Sequence, residues 1–136
     1  MENNVSQREQ NKRDTVGRIH SAFISIYTKK GIEGVTVKEI CNISGIVKST
    51  FYIYYDDKYS ILDAIKNDLL GSLSKLIYDL TDIDVSLVQQ GSPLEKAFLV
   101  VKYIRAHKTA FKAMMGPHGD PSFEIRWRND IQKSFA

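Results

Sequence analysis

Cysteine is almost missing from this chain. Cys41 stands alone among 136 residues, which excludes an internal disulfide framework and suits a reducing compartment. No apolar run approaches the roughly 18 residues that a membrane-spanning helix needs. The N-terminus, MENNVSQREQNKRDT, is polar and has no apolar centre, so it is not a secretion signal. No alternating apolar–polar run is flanked by a hairpin dipeptide, and no internal repeat is visible. His20, His107 and His118 have no metal-ligand spacing with one another or with Cys41. Phosphate loops, dinucleotide fingerprints and nucleophile elbows are also missing. The expectation is a cytoplasmic, non-enzymatic protein without cofactor or metal.

What remains supports a helical protein with a real core. The hydrophobic fraction is 43% and the charged fraction 26%, both ordinary for a soluble domain. A net charge of +3 permits nucleic acid as a partner without demanding it. Some of the basic excess lies at the N-terminus, in Arg8, Lys12, Arg13, Arg18, Lys29 and Lys30.

Residues 1–8 are expected to be disordered, and a helix is expected from about residue 9. Its apolar face is Val16, Ile19, Phe23 and Ile26 or Tyr27, at spacings of three and four. KKGIEG ends it, with lysines in the last turn and Gly31 available for a left-handed cap. TVKE, 36–39, fits a capping box opening a short helix to about Ile43. SGI, 44–46, reads as a tight turn around Gly45.

After an aromatic run comes a long helix, 58–80, capped by Asp56 or Asp57. Its stripe is Ile61, Leu62, Ile65, Leu69, Leu73, Leu76, Ile77 and Leu80. Residues 81–92 form a polar linker. SPLE, 92–95, is a second capping box with Pro93 at the first helical position. A stripe of Leu94, Ala97, Phe98, Val101, Ile104 and Phe111 follows. GPHGDP, 116–121, breaks the chain, and 122–136 is helical again.

The aromatic run Phe51–Tyr52–Ile53–Tyr54–Tyr55 favours strand by intrinsic preference. A strand here would have no partner, and an isolated strand is not stable. As a helix from about residue 47, the run puts Phe51 and Tyr55 on one face, with Ser49, Tyr52 and Ile53 on the other. Two short helices across a glycine turn make a helix-turn-helix, over about 36–55. Its second helix would enter a major groove. Lys48, Ser49 and Thr50 would lie near base edges, and the hydroxyls of Tyr52 and Tyr54 near phosphates. The bland alternative is that the tyrosines only cover a small core.

GIEGVTVKEICNISGIVKSTFYIYYDDKYSILDAI, 31–65, resembles the DNA-binding domain of the TetR/AcrR family of bacterial transcriptional regulators. The matching features are Gly34, Thr36, Val37, Ile40, the Ser44–Gly45–Ile46 turn, Lys48, Thr50, Tyr52, Tyr55, Lys58 and ILDAI. With the preceding helix the likeness covers about residues 10–65. It implies an all-α protein: a three-helix helix-turn-helix domain, 9–57, joined by a long helix to a helical regulatory and dimerisation domain, 58–136. It also implies a homodimer on palindromic double-stranded DNA, a repressor's role and a small-molecule inducer. Carried over by position, the DNA-binding residues are Thr36, Val37, Lys38, Val47, Lys48, Ser49, Thr50, Tyr52, Ile53, Tyr54 and Lys58. Departures are Val47, where a capping Ser is common, Tyr54, often His, and Asp56, often Pro or basic.

YIRAHKTAFKAMMG and GDPSF, within 92–128, resemble the start of the ligand domain in a subgroup common in Gram-positive bacteria. Two further long helices would normally follow, so this domain is expected to be incomplete. Tyr103, His107, Phe111, Met114, Met115 and Trp127 are candidates to line an inducer pocket, although the same residues at helical spacing also suit a plain core. Residues left without their missing partners would form an exposed apolar patch. Cys41 is expected to be packing, not a redox sensor. An alternative function is a protein-interaction module that keeps the helix-turn-helix without operator-specific binding.

Overall fold

A computed structural model describes residues 2–81 and 93–134 of the chain. The elements are α1 (Glu2–Lys30), a single 3₁₀ turn η1 (Ile32–Gly34), α2 (Val37–Ser44), α3 (Lys48–Tyr54), α4 (Lys58–Thr81), α5 (Pro93–Ala106), α6 (Lys108–Met115) and α7 (Pro121–Ser134). Among the described residues no strand occurs, and the fold is all-α. The aromatic run is therefore helical: tertiary packing overrides its strand preference. The expected linker at 82–92, and Ser92 of the second capping box, lie outside the described residues. The chain divides into two compact units, Met1–Asp63 and Ala64–Ala136, with the boundary inside α4.

In the first unit, α1 begins at Glu2, not near residue 9. Its first turns are rich in Glu, Gln and Arg, which favour helix. Two side-chain pairs support them, Gln7 to Asn11 and Gln10 to Asp14, each four residues apart. The expected apolar face is the buried one: Ile19, Ala22, Phe23, Ile26 and Tyr27 lie inside, with Phe23 and Tyr27 stacked at 5.3 Å. Val35, Ile40, Cys41, Phe51, Ile61 and Leu62 are buried in the same unit. Cys41 is thus a packing residue in α2.

Helix α1 packs on α2, and α2 on α3. Gly31 closes α1 with φ 73° and ψ 179°. That is not the expected left-handed cap, because the chain leaves the helix extended and enters η1. Gly45 does take the left-handed region, φ 71° and ψ 32°, and its N–H bonds the Cys41 carbonyl at 2.9 Å.

The second unit buries Ile65, Leu69, Leu70, Leu73, Ala110, Phe111, Ala113, Met114 and Phe123. Leu70 falls outside the expected stripe, while Leu76 and Ile77 are only half-buried. Phe111, Phe123 and Trp127 form a ring cluster with centroids 5.9–6.4 Å apart. Polar ties then hold α4 to α7: Lys66 to Asp120 at 2.8 Å, Arg126 to Asn67 at 2.6 Å, and Ser74 to Asp130 at 3.1 Å.

The expected apolar stripe on α5 is not a buried face. Ala97, Phe98 and Val101 are exposed, as is Leu99 beside them, and the Leu94 side chain lies outside the described residues; of the same stripe Ile104 is half-buried, and Phe111, which falls on α6, is buried. Periodicity marks which residues share a face, but burial also needs an element to cover that face. No helix of the described residues is long and apolar enough to cross a membrane.

Asp120 caps α7: its Oδ1 accepts from the Ser122 N–H at 2.9 Å, with Pro121 in the first helical position. Burial pushes its carboxyl up, but hydrogen bonds from Lys66 and Ser122 outweigh that and hold it below the usual carboxylate range. A depressed folded pKa stabilises above the unfolded value of about 3.9, and that contribution is lost as pH falls through the folded value. Thermal melts between pH 6 and pH 2.5 should therefore show an acid limb that Asp120→Asn flattens, while Asn keeps the cap. The same acid limb in both proteins would contradict this.

Two substitutions test the first unit by chemical denaturation. Phe51→Ala should cost about 3–5 kcal/mol. Gly45→Ala should cost about 1–2 kcal/mol, because a Cβ there adopts a left-handed backbone and meets Arg18 Nη2 at 3.0 Å.

Candidate nucleic-acid interface

Helix α2 starts as its sequence dictates. Thr36 is extended, and its Oγ1 accepts from the Glu39 N–H at 3.1 Å. The reciprocal half of the expected capping box is replaced by a longer-range contact: the Glu39 carboxylate meets Lys30 Nζ at 3.4 Å. That pair is largely exposed, so it is worth at most about 1 kcal/mol. Thr36 and Lys38 are exposed at this helix start, and Val37 is half-buried.

Helix α3 follows the Gly45 turn. Val47 is its N-cap and makes no side-chain capping bond. Phe51 is fully buried, whereas Val47, Tyr52 and Ile53 are 65%, 53% and 74% exposed. Lys48 and Ser49 are exposed beside them, and Thr50 and Tyr54 are half-buried. Tyr52 sets its ring edge-on against Phe51 at 5.2 Å, which fixes it without covering it.

The three tyrosines separate by role. Tyr55 is tied to the interior: its hydroxyl and His20 Nε2 share a hydrogen bond from the end of α3 to α1. Tyr52 keeps an open position. The reading as a core cover therefore fits Tyr55 and not Tyr52; Tyr54 is half-buried between them.

Asp57 resolves the uncertainty over which acid caps α4. Its Oδ1 accepts from the Ser60 N–H at 2.8 Å and the Ser60 hydroxyl at 3.0 Å. These bonds to Ser60 hold its carboxyl below its ordinary range. Lys58 occupies an unexpected position: its ammonium donates to the Val35 carbonyl at 3.1 Å and the Glu33 carbonyl at 3.5 Å. It thereby bonds the backbone just before Thr36.

Two cations that sequence reasoning left unplaced stand close to this motif. Arg13 and Arg18 line a hollow of about 940 Å³ with Ile43, Ser44 and Gly45 of the turn. Neither has a hydrogen bond or ion pair among the described residues. The N-terminal basic excess was the available signal, but only folding brings α1 to the turn.

Of the candidate pocket residues of the second unit, Phe111 lines a cavity of about 430 Å³, together with Val101, Ile104, Arg105, Lys108 and Lys112. Met114 is core, and Met115 and His107 are exposed. Tyr103 stacks on His107 at 4.4 Å and donates to the Asp68 carbonyl at 3.4 Å. Trp127 belongs to the ring cluster, and its Nε1 is buried without an acceptor. His118, placed by sequence in an open Gly/Pro loop, is exposed.

Two short helices crossing at a left-handed glycine, the second with a buried aromatic and an outer face of mixed donors and apolar side chains, define a helix-turn-helix. Residues 21–65, from the second half of α1 through the two short helices to the start of α4, match the model of the bacterial regulatory proteins, tetR family. Over 98 residues it is 21% identical to YxbF of Bacillus subtilis (strain 168), described as an uncharacterized HTH-type transcriptional regulator. That match takes in 72% of this chain and 26% of the relative, so the chain spans about a quarter of that protein's length. No solved structure matches it.

The Lys58 contact can be tested without any nucleic acid. Lys58→Met should lower the unfolding free energy of the first unit by about 1 kcal/mol, read as a lower urea midpoint at unchanged slope. An unchanged midpoint would leave the ammonium without a structural role.

Proposed function

We propose that this chain is a transcriptional regulator that binds double-stranded DNA through α2 and α3. The observation that carries the reading is the outer face of α3. Beside a buried Phe51 it exposes Val47, Lys48, Ser49, Tyr52 and Ile53, a donor-rich surface with two apolar members. Lys48, Ser49 and Thr50 suit base edges, and Val47 and Ile53 suit thymine methyl groups. Tyr52 and Tyr54 reach phosphates by their hydroxyls, and Thr36, Val37 and Lys38 seat the start of α2 on the backbone. Lys58 serves by holding the segment before Thr36 in place. Arg13 and Arg18 extend the positive surface.

The protein acts as a homodimer on an inverted repeat, with half-sites about one helical turn apart. It represses transcription until a small molecule bound by the second unit releases it. The match of residues 21–65 to the tetR-family model supports this reading.

Selection from a random duplex library should enrich an inverted repeat. On that site, Tyr52→Ala should weaken binding to all sequences alike and leave the salt slope unchanged, because its hydroxyl carries no charge. Lys48→Ala should also relax preference at one base position, about tenfold or more. No enrichment from folded protein would overturn the reading and leave a protein-interaction module in its place.

A further inference from the structure

The cavity in the second unit has a composition that points to a ligand class. Its volume of about 430 Å³ lies within the roughly 300–1,000 Å³ typical of small-molecule sites. Three of its lining side chains are apolar: Val101, Ile104 and Phe111. The other three are cationic: Arg105, Lys108 and Lys112. Among the described residues no carboxylate lines it.

Phe111 gives it a rigid floor. The ring is buried and held by Tyr103, Phe123 and Trp127, with centroids 6.3, 5.9 and 5.9 Å away. Val101, by contrast, is 54% exposed, so an apolar wall of the cavity faces water. Lys108 and Lys112 are one turn apart on α6, and Val101, Ile104 and Arg105 share one side of α5. None of the three cations has a hydrogen bond or ion pair among the described residues. Their aliphatic stems line the cavity, and their exposed cationic ends are available to an anion at its rim.

We propose that this cavity binds a small amphiphilic carboxylate, its chain on Phe111, Val101 and Ile104 and its head among Arg105, Lys108 and Lys112. A polyphosphate would leave the apolar floor unused. A neutral hydrocarbon would cover the floor and leave the cations unanswered. A carboxylate head matches the guanidinium fork of Arg105. This deepens, and rests on, the inducer part of the proposed function; the binding itself does not depend on DNA.

The experiment is a titration of the full chain with decanoate, below micelle formation and without DNA. It is followed by calorimetry and by methyl shifts at Val101 and Ile104. Saturable one-to-one binding is expected, at least tenfold tighter than for acetate or decanol. The triple variant Arg105→Gln, Lys108→Gln, Lys112→Gln should bind decanoate at least tenfold more weakly. Its replaced side chains are exposed and unpaired, so its melting temperature should match the parent.

Decanol binding as tightly as decanoate, equal binding by the variant, or no binding at all would each overturn the proposal. So would pelleting with anionic vesicles in the absence of decanoate binding, which would make the face a membrane contact. Decanoate that binds the cavity but leaves operator affinity unchanged supports the site. That result overturns only the inducer role in the proposed function.

Discussion

Everything in the first unit turns on the burial of Phe51. A seven-residue helix cannot hold its own orientation by backbone bonds alone. One fully buried aromatic ring fixes both its depth and its rotation. At 100° per residue, that choice sends Ser49, Tyr52 and Ile53 outward. The Tyr55–His20 bond then fastens the far end of the helix to α1. The outer face is therefore presented by a rigid mount, which a surface meant to read grooves requires.

How much of this was legible in the sequence depended on the range of each interaction. Gly45 and Thr36 could be read because their reasons are local: a left-handed turn and an N-cap involve residues three or four apart. The apolar face of α1 was equally plain, since one helix stripe suffices to state it. The contacts of Glu39 and Lys58 were not legible, because these partners lie 9 and 23–25 residues away. For Glu39 a local rule offered the Thr36 N–H, and the fold supplied Lys30.

The stripe on α5 failed for a related reason. Spacing told which residues share a face, yet Phe98, Leu99 and Val101 remain open to water. Burial is a property of two surfaces, and the described residues provide only one. The second unit compensates with specific polar links between α4 and α7, of which Lys66 to Asp120 is the best sheltered. Such links are expensive to half-satisfy, so they fix one register more firmly than they add stability. The unit thus combines a defined frame with uncovered apolar surface, a pairing suited to ligand capture.

A single chemical type serves opposite ends in this chain, and composition cannot say which. Tyr52 and Tyr55 stand three residues apart in the sequence, but one hydroxyl is open and the other bonds His20. Lys48 and Lys58 differ likewise: one ammonium is exposed, and the other holds two backbone carbonyls ahead of α2. Resemblance sets Lys48 and Lys58 both near DNA and leaves Tyr55 as a matching aromatic, without telling a residue that holds its neighbours from one that faces outward. The partner of the polar atom separates the two roles. On that criterion Lys58 and Tyr55 are supports, and the open face of α3 with the start of α2 is what they hold in shape.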